Sequence, residues 1–165
     1  MKLPHALLAA AALGFALPAT AGTLEGRLVT FNVETWDDRA APLLDARGRT
    51  VTVGSGTEFG LGPEGFTGGL DVVPVDVEIG PTRIELSYPE GIGRFFEAKF
   101  NGYVLRFETD CALFESVAID PAATTMKVTD IWAEQGALYI NVSGLGYGPA
   151  AKLALDVEVG DCPMS

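Results

Sequence analysis

The side chains that could perform catalysis in this chain are few, because its single histidine, His5, lies in an N-terminal segment that we predict to be removed. Without histidine, the remaining chain cannot form a Ser-His-Asp or Cys-His catalytic pair or a histidine-ligated metal site. The two cysteines, Cys111 and Cys162, allow one intramolecular pairing. We expect a disulfide, because thiols of exported chains oxidise. Closing this loop of about 50 residues would stabilise the fold by roughly 4 kcal/mol.

Two irregular segments carry carboxylates that could bind a cation. The stretch 54–71 reads GSGTEFGLGPEGFTGGLD and has seven glycines in eighteen residues, and the second segment runs from about 36 to 48. No helix is predicted after the first stretch, so it lacks the aimed N–H groups of a phosphate loop. Calcium requires about six to eight oxygen ligands. The candidate ligands are Glu58, Glu64 and Asp71 in the first segment, and Asp37, Asp38 and Asp45 in the second. The alternative is a packed connection whose glycines supply turns.

Aromatic and acidic side chains allow two kinds of carbohydrate chemistry. Exposed aromatic rings offer faces on which a sugar can stack, and the candidates are Trp36, Phe95, Tyr139 and Tyr147. Cleavage of a glycoside would require two carboxylates about 5 to 10 Å apart across a cleft. The sequence singles out no such pair, so no catalytic residue is predicted.

The elements that position these side chains are predicted to be strands. Apolar and polar residues alternate, as in half-buried strands, along segments 29–33, 73–79, 84–88, 138–142 and 153–159. No segment shows a helical stripe of ten or more residues. This pattern predicts an all-β chain: an antiparallel β-sandwich, jelly-roll or immunoglobulin-like, with about nine or ten strands. A barrel remains the alternative.

Three local expectations follow from the strand pattern. Segment 54–71 should connect a strand ending near Val53 to one starting near Leu70. Asn101-Gly102 divides two alternating runs and predicts a hairpin turn, with Phe100 facing Tyr103. Trp132 should lie at the edge of the core.

The N-terminus and the charge bound the location and the partners. Lys2, an apolar run over 6–17 and the triplet Ala19-Thr20-Ala21 indicate a secretory signal peptide over residues 1–21. Residues 22–165 should then form a single domain, secreted or periplasmic, without membrane insertion. That domain carries ten cationic and 22 acidic side chains, a net charge of −12. This balance argues against nucleic acid or an anionic membrane surface as partner.

Four short stretches carry a resemblance to known proteins. They are GTEF at 56–59, FNGY at 100–103, VAID at 117–120 and INVSGL at 140–145. Their succession resembles the β-sandwich ectodomains of bacterial exported proteins with PEP-CTERM sorting tails, over roughly residues 50–159. The resemblance implies an exported sandwich and carries over no catalytic residue. The chain ends at Cys162-Pro163-Met164-Ser165, without the Pro-Glu-Pro motif, apolar helix and basic end, so tail-dependent sorting is not expected.

The sequence therefore favours an exported, non-enzymatic β-sandwich that acts as a cell-envelope or extracellular interaction module, with no cofactor unless calcium binds. A carbohydrate- or calcium-binding module that uses the 54–71 and 36–48 loops is the alternative. A carboxylate-dependent glycoside hydrolase is a third hypothesis, disfavoured because the sequence identifies no acid pair.

Overall fold

The computed structural model describes residues 22–61, 73–108, 112–134 and 136–161. Within them the chain forms β-strands and no helix, and hence no helix able to cross a membrane. The strands are β1 (Leu28–Trp36), β2 (Leu44–Thr52), β3 (Thr57–Leu61), β4 (Val75–Ile79), β5 (Arg83–Ser87), β6 (Gly93–Arg94), β7 (Phe100–Phe107), β8 (Ala112–Ile119), β9 (Asp130–Glu134), β10 (Ala137–Asn141), β11 (Gly146–Tyr147) and β12 (Lys152–Asp161).

The strands form two five-stranded antiparallel sheets and one short ribbon. The first sheet has the order β2-β1-β7-β10-β9, the second has the order β3-β4-β5-β12-β8, and β6 pairs with β11. The predicted all-β sandwich class is confirmed. The twelve strands of the described residues exceed the expected nine or ten because β6 and β11, at two residues each, are too short to show alternation.

The core lies between the two sheets and follows the alternation. In β4, Val75, Val77 and Ile79 are buried, whereas Glu78 is exposed. Phe31 of the first sheet stacks on Phe59 of the second at 5.2 Å between ring centroids, which ties the two layers together.

Two tyrosine hydroxyls are enclosed in this core. Tyr88 and Tyr103 are fully buried, and neither hydroxyl has a hydrogen-bond partner at bonding distance among the described residues. Burial raises the pKa of both phenols well above the usual value, so both rings stay neutral.

The predicted hairpin turn at Asn101-Gly102 is wrong. Residues Phe100–Phe107 form one continuous strand, and it lies between β1 and β10 in the middle of the first sheet. Pairing on both sides along this strand outweighs the local turn preference of Asn-Gly. The buried Asn101 side chain accepts a hydrogen bond from the Thr35 hydroxyl at 2.9 Å and donates to the Phe96 carbonyl at 2.7 Å.

Both predicted loops are shorter than expected. Segment 54–71 contains strand β3, which pairs with β4 as an edge strand of the second sheet. β1 continues through Trp36 and β2 starts at Leu44, so the irregular part of 36–48 is reduced to 37–43.

Several predictions fall outside the described residues and stay predictions. They concern the signal peptide over 1–21, the disulfide between Cys111 and Cys162, and the candidate calcium ligands Glu64 and Asp71.

Candidate functional site

The outer face of the first sheet carries an apolar cluster separate from the core. Successive side chains of a strand point to opposite faces. In β7, Tyr103 and Leu105 join the main core, whereas Phe100 and Val104 belong to the second cluster. A sheet face that looks toward solvent is ordinarily polar, so this cluster is a departure from the usual pattern.

Two stacked pairs of rings form the centre of this cluster. Trp36 lies directly opposite Phe100 across β1 and β7, and their rings stack at 5.0 Å and 18°. Trp132 lies directly opposite Tyr139 across β9 and β10, and these rings stack at 4.9 Å and 5°. Phe100 joins the pairs, because its ring meets Trp132 edge-on at 5.6 Å. A single phenyl ring thus separates the two indoles.

The four rings differ in their exposure. Phe100 and Tyr139 are fully buried, whereas Trp36 and Trp132 are half-buried. The tryptophans therefore form the outer layer, and the other two rings support them from the sheet.

Two arginines cover Tyr139. The guanidinium carbon of Arg39, from the 37–43 loop, lies 4.8 Å from the centre of the Tyr139 ring, and that of Arg106 lies 5.4 Å from it. Arg39 also donates a hydrogen bond to the Tyr139 hydroxyl. These contacts are cation–π interactions, which are stronger where water is excluded.

Each arginine is neutralised by a glutamate. Arg39 pairs with Glu134 at 2.9 Å, and Arg106 pairs with Glu34 at 3.0 Å. Glu34 is buried and its second carboxylate oxygen accepts the Trp36 indole N–H at 3.3 Å, which orients that ring. The charges of these four side chains therefore cancel.

The pKa of Glu134 is lowered, first by its hydrogen bond from Arg39. A general acid for glycoside cleavage requires the opposite shift, toward a raised pKa. This geometry favours binding over acid catalysis at Glu134.

Polar groups flank the rings on one side. The Asn141 side chain donates to the Asp130 carboxylate and to the Lys99 carbonyl oxygen, both at 2.9 Å. Asn141 and Asp130 are paired residues on β10 and β9, two positions along the strands from Tyr139 and Trp132. The Asn141 oxygen also accepts the N–H groups of Asn101 and Ser143, so its side chain is fully engaged. The exposed Asp130 carboxylate has free lone pairs and can accept hydroxyl groups of a ligand over the rings. We refer to Trp36, Phe100, Trp132, Tyr139, Arg39 and Arg106, with this flank, as the aromatic–arginine platform.

Only part of the predicted aromatic set is brought together here. Trp36 and Tyr139 belong to the platform, although Tyr139 has no open ring face because its neighbours cover it. Phe95 and Tyr147 lie elsewhere, with their rings 5.0 Å apart and tilted at 57° to each other, beside the main core. The expectation of an exposed Phe95 is wrong, since this ring is buried against Tyr88 and Tyr147.

Three of the predicted cation ligands accept hydrogen bonds from backbone N–H groups. Glu58 accepts hydrogen bonds from the Ile79 N–H at 2.6 Å and the Gly54 N–H at 3.2 Å. Asp37 accepts from the Lys99 N–H at 2.8 Å and Asp38 from the Ala40 N–H at 3.0 Å. Asp45 is exposed in β2. In the part of the chain that is described, no three acidic, histidine or cysteine side chains are grouped to hold a metal ion.

The sequence pattern alone does not identify Trp132, Phe100, Arg39 or Arg106 as site residues. Trp132 was expected at the edge of the core, but it lies on the outer face because its strand position matches that of Tyr139. Read as one strand, segment 100–107 is apolar on both faces, and this was the available signal. The hairpin prediction instead placed Phe100 and Tyr103 on the same face.

No protein-family model, no curated protein and no solved structure matches this chain.

Proposed function

We propose that this chain is an exported carbohydrate-binding module, without catalysis of its own, whose aromatic–arginine platform binds a neutral oligosaccharide. The observation that carries the proposal is the pair of half-buried tryptophans on the outer face of the first sheet, each supported by a buried ring. Large, rigid aromatic surfaces bind sugar rings with little loss of conformational entropy.

The charges of the platform support a neutral ligand. Arg39 and Arg106 are both engaged by glutamates, so neither has an unopposed charge for an acidic sugar. The chain beyond residue 21 also has a net charge of −12, which repels anionic polysaccharides at long range. Uronic-acid polymers and anionic lipids are therefore disfavoured.

The separation of the two indoles supports an oligosaccharide over a monosaccharide. One phenyl ring lies between them, so one sugar unit can stack on Trp36 while another contacts Trp132. The Asp130 carboxylate, held by Asn141, lies next to this path and can accept hydrogen bonds from hydroxyl groups. Two contacts on one ligand raise its affinity because the second contact is intramolecular.

The test is calorimetry of residues 22–165 against soluble glucans, xylans, mannans and galactans, with polygalacturonate as the acidic comparison. We expect binding to at least one neutral polymer. Trp132→Ala and Trp36→Ala should each weaken binding by about tenfold or more, as loss of a stacked aromatic contact costs about 1.4 kcal/mol. Trp132→Phe keeps a ring and should retain part of the affinity.

Phe96→Ala is the matched control, because Phe96 is also an exposed aromatic residue but lies outside the platform. Its affinity should equal that of the wild type. Unchanged binding in both tryptophan variants, or tighter binding of polygalacturonate than of every neutral polymer, would refute the proposal.

A further inference from the structure

A cavity of about 380 Å³ lies at the end of the sandwich where β1 ends and β2 and β7 begin. Small-molecule sites commonly occupy about 300 to 1,000 Å³ and are lined mainly by apolar side chains. This cavity meets the second condition too, because it is lined by Val33 and Tyr103 from the first sheet, Val142 just after β10, and Phe95 from the 93–96 segment. All four are buried. It lies on the face of the first sheet opposite to the platform.

The polar residues of the wall do not make it polar. Thr35 and Asn101 line the cavity, but the Thr35 hydroxyl donates to the Asn101 side chain, which itself donates to the Phe96 carbonyl. The Thr35 hydroxyl and the Asn101 amide therefore keep their hydrogen bonds when an alkyl chain lies beside them.

The opening is apolar as well. Leu43 and Phe96 line it with exposed fractions of 67% and 65%. They are two of the three large hydrophobic residues of the described chain that are this exposed, and they converge on one cavity. Exposed apolar side chains that gather at one place mark a binding surface more often than scattered ones do.

Arg94 supplies the positive charge among the residues that line the cavity. Its side chain is exposed and its ion pair with Glu97 is loose, at 3.9 Å between two largely exposed groups. Such a pair contributes little, so the guanidinium can turn to a ligand. Its fork of N–H donors matches a carboxylate.

We propose that this cavity is a second binding site, which takes the alkyl chain of a medium-chain carboxylic acid and holds the carboxylate at Arg94. The apolar wall selects the chain, and the rim selects the acid over a neutral or cationic head group. A cavity of about 380 Å³ with buried walls favours a slender chain over a protein surface.

The test uses calorimetry of residues 22–165 with hexanoate, octanoate and decanoate below their micelle concentrations, and with decanol below its solubility limit. Each added methylene should tighten binding by about fourfold until the cavity is full, since burying a methylene is worth about 0.8 kcal/mol. Decanoate should bind more tightly than decanol. Arg94→Gln should weaken decanoate by about fivefold and leave decanol unchanged, which corresponds to loss of one exposed ion pair.

Leu43→Glu and Phe96→Glu change exposed residues at the opening, so the fold should persist while decanoate binding falls about tenfold or more. Ile92→Gln is the control, since Ile92 is 86% exposed, precedes the 93–96 segment and does not line this cavity, and glutamine adds no charge beside Arg94. It should bind decanoate as the wild type does.

Three results would overturn the proposal. In the first, none of the three carboxylic acids binds. In the second, decanoate and decanol bind with equal affinity and Arg94→Gln changes neither. The third is self-association in sedimentation that Leu43→Glu and Phe96→Glu abolish without any decanoate binding, which would assign the opening to a second copy of the chain. Loss of sugar binding in the tryptophan variants would leave this site unaffected.

Discussion

Replacing Gly102 by alanine tests the position of β7 in the middle of the first sheet. A Cβ at residue 102 would lie 1.9 Å from the Ile140 carbonyl oxygen and 3.2 Å from the Asn141 Cα. Ordinary van der Waals contact begins at 3.4 Å, so one of the two backbones must yield by about 1.5 Å. Ile140 and Asn141 belong to β10, which pairs with β7 at this point.

The expected cost is the sum of overpacking and lost pairing. Overpacking costs about 1 to 3 kcal/mol, and each weakened ladder hydrogen bond adds about 1 kcal/mol. Gly102→Ala should therefore lower the free energy of unfolding by about 3 to 5 kcal/mol, and the thermal midpoint by about 10 °C or more for a domain of this size. Urea and thermal unfolding followed by circular dichroism measure both quantities.

Gly60→Ala is the matched control for this substitution. Gly60 also lies in a strand, but β3 is an edge strand and the nearest atom to an added Cβ is the flexible Asp76 carboxylate, at 3.4 Å. Its stability should change by less than about 1 kcal/mol. If Gly102→Ala is as mild as Gly60→Ala, the close pairing of β7 with β10 is refuted.

Two further predictions concern carboxylates. Glu58→Ala should lower the free energy of unfolding by about 1 to 3 kcal/mol in both calcium and chelator, because the Ile79 and Gly54 N–H groups lose their acceptor. Glu97→Ala, at an exposed side chain, is the control. A loss of stability seen only in calcium would contradict the structural role of Glu58. Arg83 lowers the pKa of Asp120, so the ionised Asp120 stabilises the fold above its usual pKa of about 3.9. This stabilisation is lost as the pH falls through the lowered pKa. Arg83→Gln should therefore make the free energy of unfolding depend less steeply on pH in the acid range. Thermal midpoints between pH 2 and about 6 measure this, and parallel curves for variant and wild type would contradict it.

The half-buried strands were predictable because one face of each is apolar and the other is polar. Segments 73–79, 84–88 and 153–159 correspond to β4, β5 and β12 within two residues at each end. The period of two is a local property, so it can be read without knowledge of strand order.

Elements with two apolar faces, or with many glycines, were not predictable in this way. β7 buries Tyr103 on one face and Phe100 on the other, so its pattern has no polar face to fix the register. β3 contains Gly60 in a glycine-rich stretch, which favoured a loop, yet Phe59 holds it in the sheet by stacking on Phe31.

The platform depends on strand order, which the pattern does not encode. Trp36 and Trp132 are nearly a hundred residues apart and become neighbours only because β1, β7, β10 and β9 are adjacent in that order. Arg39 joins them because the 37–43 loop brings its guanidinium over Tyr139. Their residue types suggested stacking, but their common location required the structure.

The most direct test of the platform as a sugar site is the intrinsic fluorescence of the wild-type protein. The chain has two tryptophans, Trp36 and Trp132, and both belong to the platform, so emission reports on this surface alone. We expect a bound neutral oligosaccharide to shift the emission to shorter wavelength and to protect both indoles from acrylamide quenching. Emission and quenching that stay constant at ligand concentrations that saturate binding in calorimetry would contradict the account.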